Sequence, residues 1–70
     1  MEKIKGYREL NEVEIARMNE VKEAGLALST LVNELEMLPD VDKRWVAIGK
    51  TDLQKGLMAL TRSIAKPDFF

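Results

Sequence analysis

A single break, at Met37–Asp42, limits the folds open to this 70-residue chain, because the sequence on either side of it has a helical pattern. Pro39 has no N–H to donate and disfavours the helical conformation of the residue before it, so it ends the first helix. Asp40 or Asp42 can then cap the second helix. So short a connection places the two helices side by side and antiparallel.

We therefore predict an all-α fold of one domain, residues 1–70. The fold is an antiparallel two-helix hairpin with a short basic segment at its N-terminus. That segment covers residues 1–10, the first helix runs over about 11–38 and the second over about 40–66.

The first helix has both a start signal and an apolar seam. Asn11 can cap it, and Glu14, three residues later, can reach back as in a capping box. Apolar or small residues then recur in alternating steps of three and four, which is the spacing of a coiled-coil seam. These residues are Met18, Val21, Gly25, Leu28, Val32 and Leu35. Other residues widen the apolar surface beyond what one partner helix could cover: Ile15, Ala24, Leu26, Ala27, Leu31 and Leu38.

The second helix carries a comparable apolar side, and Pro67 ends it. That side consists of Trp45, Ile48, Leu53, Leu57, Leu60 and Ile64. Because Trp45 falls on this side, we expect it in the core or in an interface rather than as a stacking platform.

Gly25 costs the first helix about 1 kcal/mol of propensity relative to alanine, which indicates the close approach of another backbone. Gly49 and Gly56 could allow close packing in the same way.

A single hairpin of this size cannot cover all of this apolar surface. A chain of 70 residues buries only a modest fraction of its surface on folding, and the sequence has no Cys with which to form a disulfide. Oligomerisation is the remaining way to stabilise so small a scaffold. We therefore expect a homo-oligomer, either a four-helix dimer or a larger closed assembly. Phe69 and Phe70 would either fray or lie on a neighbouring subunit.

Composition argues against several classes of function. The absence of His and Cys removes the commonest general base, nucleophile and metal ligands, so we expect no enzyme, no metal and no cofactor. A net charge of −1 argues against binding to duplex nucleic acid. No apolar run approaches the roughly 20 residues that cross a bilayer. Since a secretory signal is also absent, we expect a cytoplasmic protein with no membrane partner.

Two carboxylate pairs on the first helix are the nearest approach to catalytic or metal-binding chemistry. They are Glu12 with Glu14, and Glu20 with Glu23. Each pair could act as acid and base or hold a divalent metal, but glutamate is common on the solvated face of a helix. We expect both pairs to be helix surface.

A basic segment in front of the first helix carries the clearest binding chemistry. Its sequence, Lys3-Ile4-Lys5-Gly6-Tyr7-Arg8, places the only Tyr beside three cations. An aromatic ring can stack on a base while a cation neutralises a phosphate. Alternatively, Tyr7 packs against the helix start and the cations are solvated. Lys22 can join Tyr7 if the segment folds back or reaches a neighbouring subunit.

The second helix carries another set of cations and hydroxyls: Lys50, Lys55 and Arg62 with Thr51 and Thr61. Steps of four to seven residues bring several of these to one side of a helix. The set could bind an anion, or it could form an ordinary salt-bridged surface.

Three segments of the chain resemble one known family. They are Lys3-Ile4-Lys5-Gly6-Tyr7-Arg8-Glu9-Leu10, Met18-Asn19-Glu20-Val21-Lys22, and Arg44-Trp45-Val46-Ala47-Ile48-Gly49-Lys50-Thr51-Asp52-Leu53-Gln54-Lys55-Gly56-Leu57-Met58-Ala59-Leu60. Together they are similar to the phage anti-CBASS nucleotide sponges, whose helical hairpin is shared with an anti-Thoeris sponge. The resemblance covers nearly the whole chain, and its order and spacing are more specific than any short motif.

This resemblance implies a compact hexamer that sequesters cyclic oligonucleotide second messengers and does not cleave them. Cyclic dinucleotides would lie in pockets between protomers, where Tyr7 stacks on a base and Lys22 contacts the phosphates. We expect Lys5, Gly6 and Arg8 to contribute to the same site. A cyclic dinucleotide has near two-fold symmetry, so a two-fold interface that supplies Tyr7 and Lys22 twice would match it.

The resemblance also implies that cyclic trinucleotides can occupy a separate pocket. It does not identify the residues of that pocket in this chain. From their chemistry alone, the candidates are Lys50, Thr51 and Arg62.

Two other functions stay open. The hairpin could be a structural module that oligomerises or binds partner helices through its excess apolar surface. It could also be a nucleic-acid accessory protein, which the near-zero net charge disfavours.

Overall fold

The structure is a computed structural model, and it describes residues 9–67. Within that range the chain forms two α-helices, α1 (Glu12–Met37) and α2 (Lys43–Ala65). Charged pairs join them near both ends. Glu14 of α1 lies beside Lys66, which directly follows α2, and Glu36 of α1 binds Lys50 of α2. The helices therefore run antiparallel, and the predicted all-α hairpin is confirmed.

Side chains cap the starts of both helices. Asn11 Oδ1 accepts a hydrogen bond from the Glu14 N–H (2.8 Å), and Glu14 Oε1 accepts one from the Asn11 N–H (3.0 Å), which confirms the predicted capping box. Of the two candidate aspartates, Asp42 caps α2. Its Oδ1 accepts hydrogen bonds from the N–H groups of Arg44 (3.0 Å) and Trp45 (3.2 Å). These bonds satisfy backbone donors that no carbonyl of the same helix can reach.

The end of α1 is stabilised by the first residue of α2. The last turn of α1 has no basic residue of its own, although a cation there interacts favourably with the helix dipole. Lys43 supplies that cation, because its ammonium donates hydrogen bonds to the carbonyl oxygens of Glu36 (2.6 Å) and Leu38. Lys43 thus links the start of α2 to the end of α1 and stabilises the turn between them.

The contact between the helices follows the predicted seam of α1. All six seam residues are buried or half-buried, and among residues 9–67 only Val32 is fully in the buried class, with 8% of its surface exposed. Leu57 of α2 packs on Gly25, since its Cδ1 lies 3.3 Å from the position that a Cβ at residue 25 would occupy. A neighbouring group does approach Gly25 closely. Within residues 9–67 it is the Leu57 side chain and not the backbone that the sequence predicted. Gly49 and Gly56 have no such neighbour within 4 Å.

The buried side of α2 differs from the prediction. Val46 is half-buried, whereas Trp45 is 62% exposed and Leu60 is 55% exposed. Successive residues of a helix are about 100° apart, so Trp45 and Val46 cannot both face α1. Periodicity alone did not distinguish these two apolar neighbours. Trp45 therefore lies outside the core of the hairpin, and an interface position for it stays a prediction.

Much apolar surface is exposed on the single hairpin. Ten large apolar side chains within residues 9–67 are between 37% and 84% exposed, from Leu53 at the low end to Met37 at the high end. Exposed apolar side chains in this number on so small a hairpin are compatible with the expectation that hairpins associate. The assembly itself stays a prediction. Neither α1 nor α2 is long and apolar enough to span a membrane.

Candidate functional site

The basic stretch from Lys3 to Arg8 lies outside the range that the structure describes. Tyr7, Lys5, Gly6 and Arg8 all precede residue 9, so their expected roles in ligand binding stay predictions. Chain length still restricts where Tyr7 can act. It lies four residues before Asn11, which allows at most about 14 Å between the two Cα atoms.

Lys22 lies near the middle of α1, with its side chain exposed. It makes no hydrogen bond and no ion pair with any residue between 9 and 67. Along the helix axis it is about 16 Å from Asn11, at 1.5 Å per residue. Tyr7 can therefore meet Lys22 of its own chain only if the segment runs back along α1. Otherwise the two residues meet between subunits.

Two other lysines of the hairpin, Lys43 and Lys50, already have hydrogen-bond or ion-pair partners. Lys43 binds the carbonyl oxygens at the end of α1. Lys50 Nζ lies 3.3 Å from Glu36 Oε1, across the contact between the helices. These two lysines stabilise the hairpin, whereas the Lys22 ammonium has no such partner between residues 9 and 67.

A depression opens beside Lys22 and crosses both helices; we call it the Lys22 groove. Its volume is about 410 Å³, within the range of about 300–1,000 Å³ that is common for ligand sites. The residues that line it are Val21, Lys22, Gly25, Leu57, Met58 and Thr61. Two of them are polar, and the rest offer carbon, sulfur and a bare glycine backbone. The groove thus places apolar surface beside one cation and one hydroxyl.

Met58 is the residue of the Lys22 groove that sequence reasoning missed. It is 70% exposed and lies next to Leu57 in the chain, off the side of α2 that faces α1. Only the packing of α2 on α1 brings it near Lys22, so the periodicity of α2 carried no signal for it. The Thr61 hydroxyl is fixed beside it, since it donates a hydrogen bond to the Leu57 carbonyl oxygen (2.9 Å).

The three candidates for a second ligand site do not share one face of α2. Lys50 binds Glu36 where α2 contacts α1. Thr51 and Arg62 lie about 140° and 160° around the helix from Val46, which faces α1. These two residues share the outer face of α2, about 16 Å apart along its axis. One hairpin therefore places Thr51 and Arg62 on the same face, although far apart, and Lys50 on a different one.

Two of the four carboxylates singled out in the sequence, Glu14 and Glu20, take part in helix structure. Glu14 belongs to the capping box, and its Oε2 lies 4.0 Å from Lys66 Nζ. Glu20 accepts hydrogen bonds from the Arg17 guanidinium at 2.9 and 3.1 Å, and this bond and the charge of Glu20 raise the pKa of Arg17. Because arginine is charged at all physiological pH values, this shift adds no acid–base chemistry. No three metal-binding side chains come together between residues 9 and 67.

Comparison with known proteins gives two matches over most of the chain. The model of one family, described as Acb2/Tad1, hairpin domain, matches residues 2–65. Anti-CBASS protein 2 of Pseudomonas phage JBD67 is 35% identical over an alignment of 100 positions, which includes 94% of this chain and 93% of that protein. The family match spans both helices, the Lys22 groove and the basic segment with Tyr7.

Proposed function

Because this chain belongs to the Acb2/Tad1 hairpin-domain family, we propose that it blocks bacterial CBASS immunity by binding and sequestering cyclic oligonucleotide second messengers. The observation that carries the proposal is its 35% identity to a phage anti-CBASS protein along 94% of the chain. The protein binds its ligand in the cytoplasm of the infected bacterium, without cleaving it and without a metal or a cofactor.

Cyclic dinucleotides, cyclic GMP–AMP among them, are the proposed ligands of the first site. Tyr7 stacks on a base, Lys22 contacts the phosphates, and Lys5, Gly6 and Arg8 complete the site. The exposed Lys22 ammonium, which has no partner between residues 9 and 67, supports this assignment. Stacking contributes about 1–3 kcal/mol per base and tolerates any base, so the ligand range is broad.

The proposed assembly is a homo-oligomer, a hexamer by analogy with the family. Its support is physical: the hairpin leaves large apolar side chains exposed, Trp45 (62%) and Leu26 (70%) among them. Association removes such surface from water, at about 25 cal/mol per Å². A two-fold interface also supplies each binding residue twice, as the near two-fold symmetry of a cyclic dinucleotide requires.

A second pocket for cyclic trinucleotides is the finer part of the proposal. Thr51 and Arg62 are its best candidates, because they share the outer face of α2. Lys50 binds Glu36 and lies about 100° around that helix from Thr51, so it is the weakest of the three candidates.

The exposed apolar residues favour one alternative function, a structural hairpin that oligomerises or binds partner helices. In that case the basic segment and Lys22 would be solvated surface. The alternative predicts that substitution of Tyr7 leaves every interaction of the protein unchanged.

Isothermal titration calorimetry with a cyclic dinucleotide distinguishes the two functions. The sponge binds at micromolar ligand, and Tyr7→Ala and Lys22→Ala each weaken the binding. Absence of heat at that concentration, or unchanged affinity in both variants, contradicts the proposed function and leaves the structural module.

A further inference from the structure

Gly25, one turn after Lys22 on α1, leaves room for the Lys22 groove, a shallow depression that is open to solvent. A Cβ at Gly25 would lie 3.3 Å from Leu57 Cδ1 and 3.8 Å from Leu57 Cδ2. The Leu57 methyl groups therefore pack directly against the bare backbone of α1 at Gly25. Met58 and Val21 also line the groove.

Two side chains of the groove are polar, Lys22 and Thr61, and each offers a different kind of hydrogen bond. Lys22 offers three donors on a cation that has no partner between residues 9 and 67. The Thr61 hydroxyl gives its hydrogen to the Leu57 carbonyl oxygen at 2.9 Å, so its own oxygen is left as an acceptor. A ligand that fits has a flat apolar body, one donor for Thr61 and an anion within reach of Lys22.

A nucleobase joined to a phosphate has these three features. We propose that the Lys22 groove is the subsite for a base of the cyclic oligonucleotide whose phosphate Lys22 contacts. The face of the base lies against Met58 and Leu57, and its exocyclic amino group donates to the Thr61 hydroxyl. A methionine sulfur beside an aromatic ring stabilises such a contact.

This inference rests on the proposed function and adds to it Met58, Leu57 and Thr61 as contacts of the base. Met58 and Thr61 then bias the preference among bases, because the Thr61 oxygen accepts a hydrogen bond from an exocyclic amino group, which adenine and guanine have and uracil lacks. A second copy of the chain is the competing occupant of the groove, and the test below separates the two.

The test compares Met58→Ala with Met37→Ala by calorimetry, using a cyclic dinucleotide, and measures the size of each variant by light scattering. Both methionines are highly exposed, 70% and 84%, but Met37 lies outside the groove. Met58→Ala should weaken binding about fivefold without changing the size of the particle, and Met37→Ala should bind as the parent protein does. Met58→Leu, which keeps the volume of the side chain, should lose less affinity for the cyclic dinucleotide than Met58→Ala.

Thr61→Val is the second arm of the test. It should weaken binding of a ligand with adenine or guanine bases more than binding of a uracil-based cyclic dinucleotide, since uracil has no exocyclic amino group. Parent affinity in both Met58→Ala and Thr61→Val, with Lys22→Ala defective, overturns the base subsite and leaves the proposed function intact. A smaller particle for Met58→Ala also overturns it, because a second copy then fills the groove. If the parent protein binds no cyclic nucleotide, both proposals fail together.

Discussion

Leu57 Cδ1 lies 3.3 Å from the position that a Cβ on Gly25 would occupy, so the two helices meet at a glycine. Carbon atoms in ordinary van der Waals contact are about 3.5–4.0 Å apart, and a larger side chain at residue 25 would need Leu57 to move. Because both residues line the Lys22 groove, this close contact determines the packing of the helices and the shape of the candidate site together.

Gly25→Val should therefore destabilise the hairpin by about 1–3 kcal/mol through overpacking. The same substitution at Gly56 is the matched control, because a Cβ there has no heavy atom within 4 Å. Gly56→Val should change the free energy of unfolding by less than about 0.5 kcal/mol. Urea denaturation followed by circular dichroism measures both. Equal stability of the two variants would show that Gly25 is not a packing constraint.

Asp42→Ala should cost about 1 kcal/mol of stability, because it removes the acceptor for the N–H groups of Arg44 and Trp45. Asp40→Ala is the control, since Asp40 lies in the same turn and does not cap α2. Thermal unfolding of the two variants side by side checks this prediction. A larger loss for Asp40→Ala would be inconsistent with the observed cap.

Lys22→Gln should weaken binding of a cyclic dinucleotide by about tenfold, because it removes a charge-assisted contact to phosphate. The remaining affinity should also depend less on salt, since one fewer charge is screened. Lys55→Gln is the control: Lys55 is also exposed and makes no hydrogen bond or ion pair within residues 9–67, but it lies outside the Lys22 groove. Calorimetry at low and high salt measures both effects. An equal loss in both variants would point to net charge rather than to a site.

Trp45→Glu should reduce the size of the particle in solution, because Trp45 is 62% exposed on the hairpin and is expected at a subunit interface. A buried, unpaired carboxylate opposes association strongly. Trp45→Phe, which keeps an aromatic ring, should retain the parent size. Multi-angle light scattering gives the mass, and circular dichroism shows that the helices remain. A Trp45→Glu protein of unchanged mass would exclude this residue from the interface.

The parts of the fold that depend on neighbouring residues could be predicted from the sequence. The capping box of Asn11 and Glu14 spans three residues, and Pro39 ends α1 by local stereochemistry. The seam of α1 was also predictable, because apolar residues every three or four positions define one face. Each of these signals lies within about one turn or one repeat of a single helix.

The parts that depend on how α2 rotates against α1 could not be predicted in this way. Trp45 and Val46 are both apolar and adjacent, and only packing decides which faces α1. Met58 comes near Lys22 only because the helices lie side by side, and Lys50 is held by Glu36, 14 residues away in sequence. The candidate site therefore depends on contacts between α1 and α2, which the residue pattern of either helix alone does not predict.

Depletion and recovery of the ligand test the central claim most directly. A cyclic dinucleotide is mixed with excess protein, the free ligand is measured after ultrafiltration, and the protein is then denatured to release what it holds. The account predicts that free ligand disappears and that the intact cyclic molecule is recovered in full after denaturation. Recovery of linear products would reveal cleavage, and undiminished free ligand would show that the protein does not sequester it.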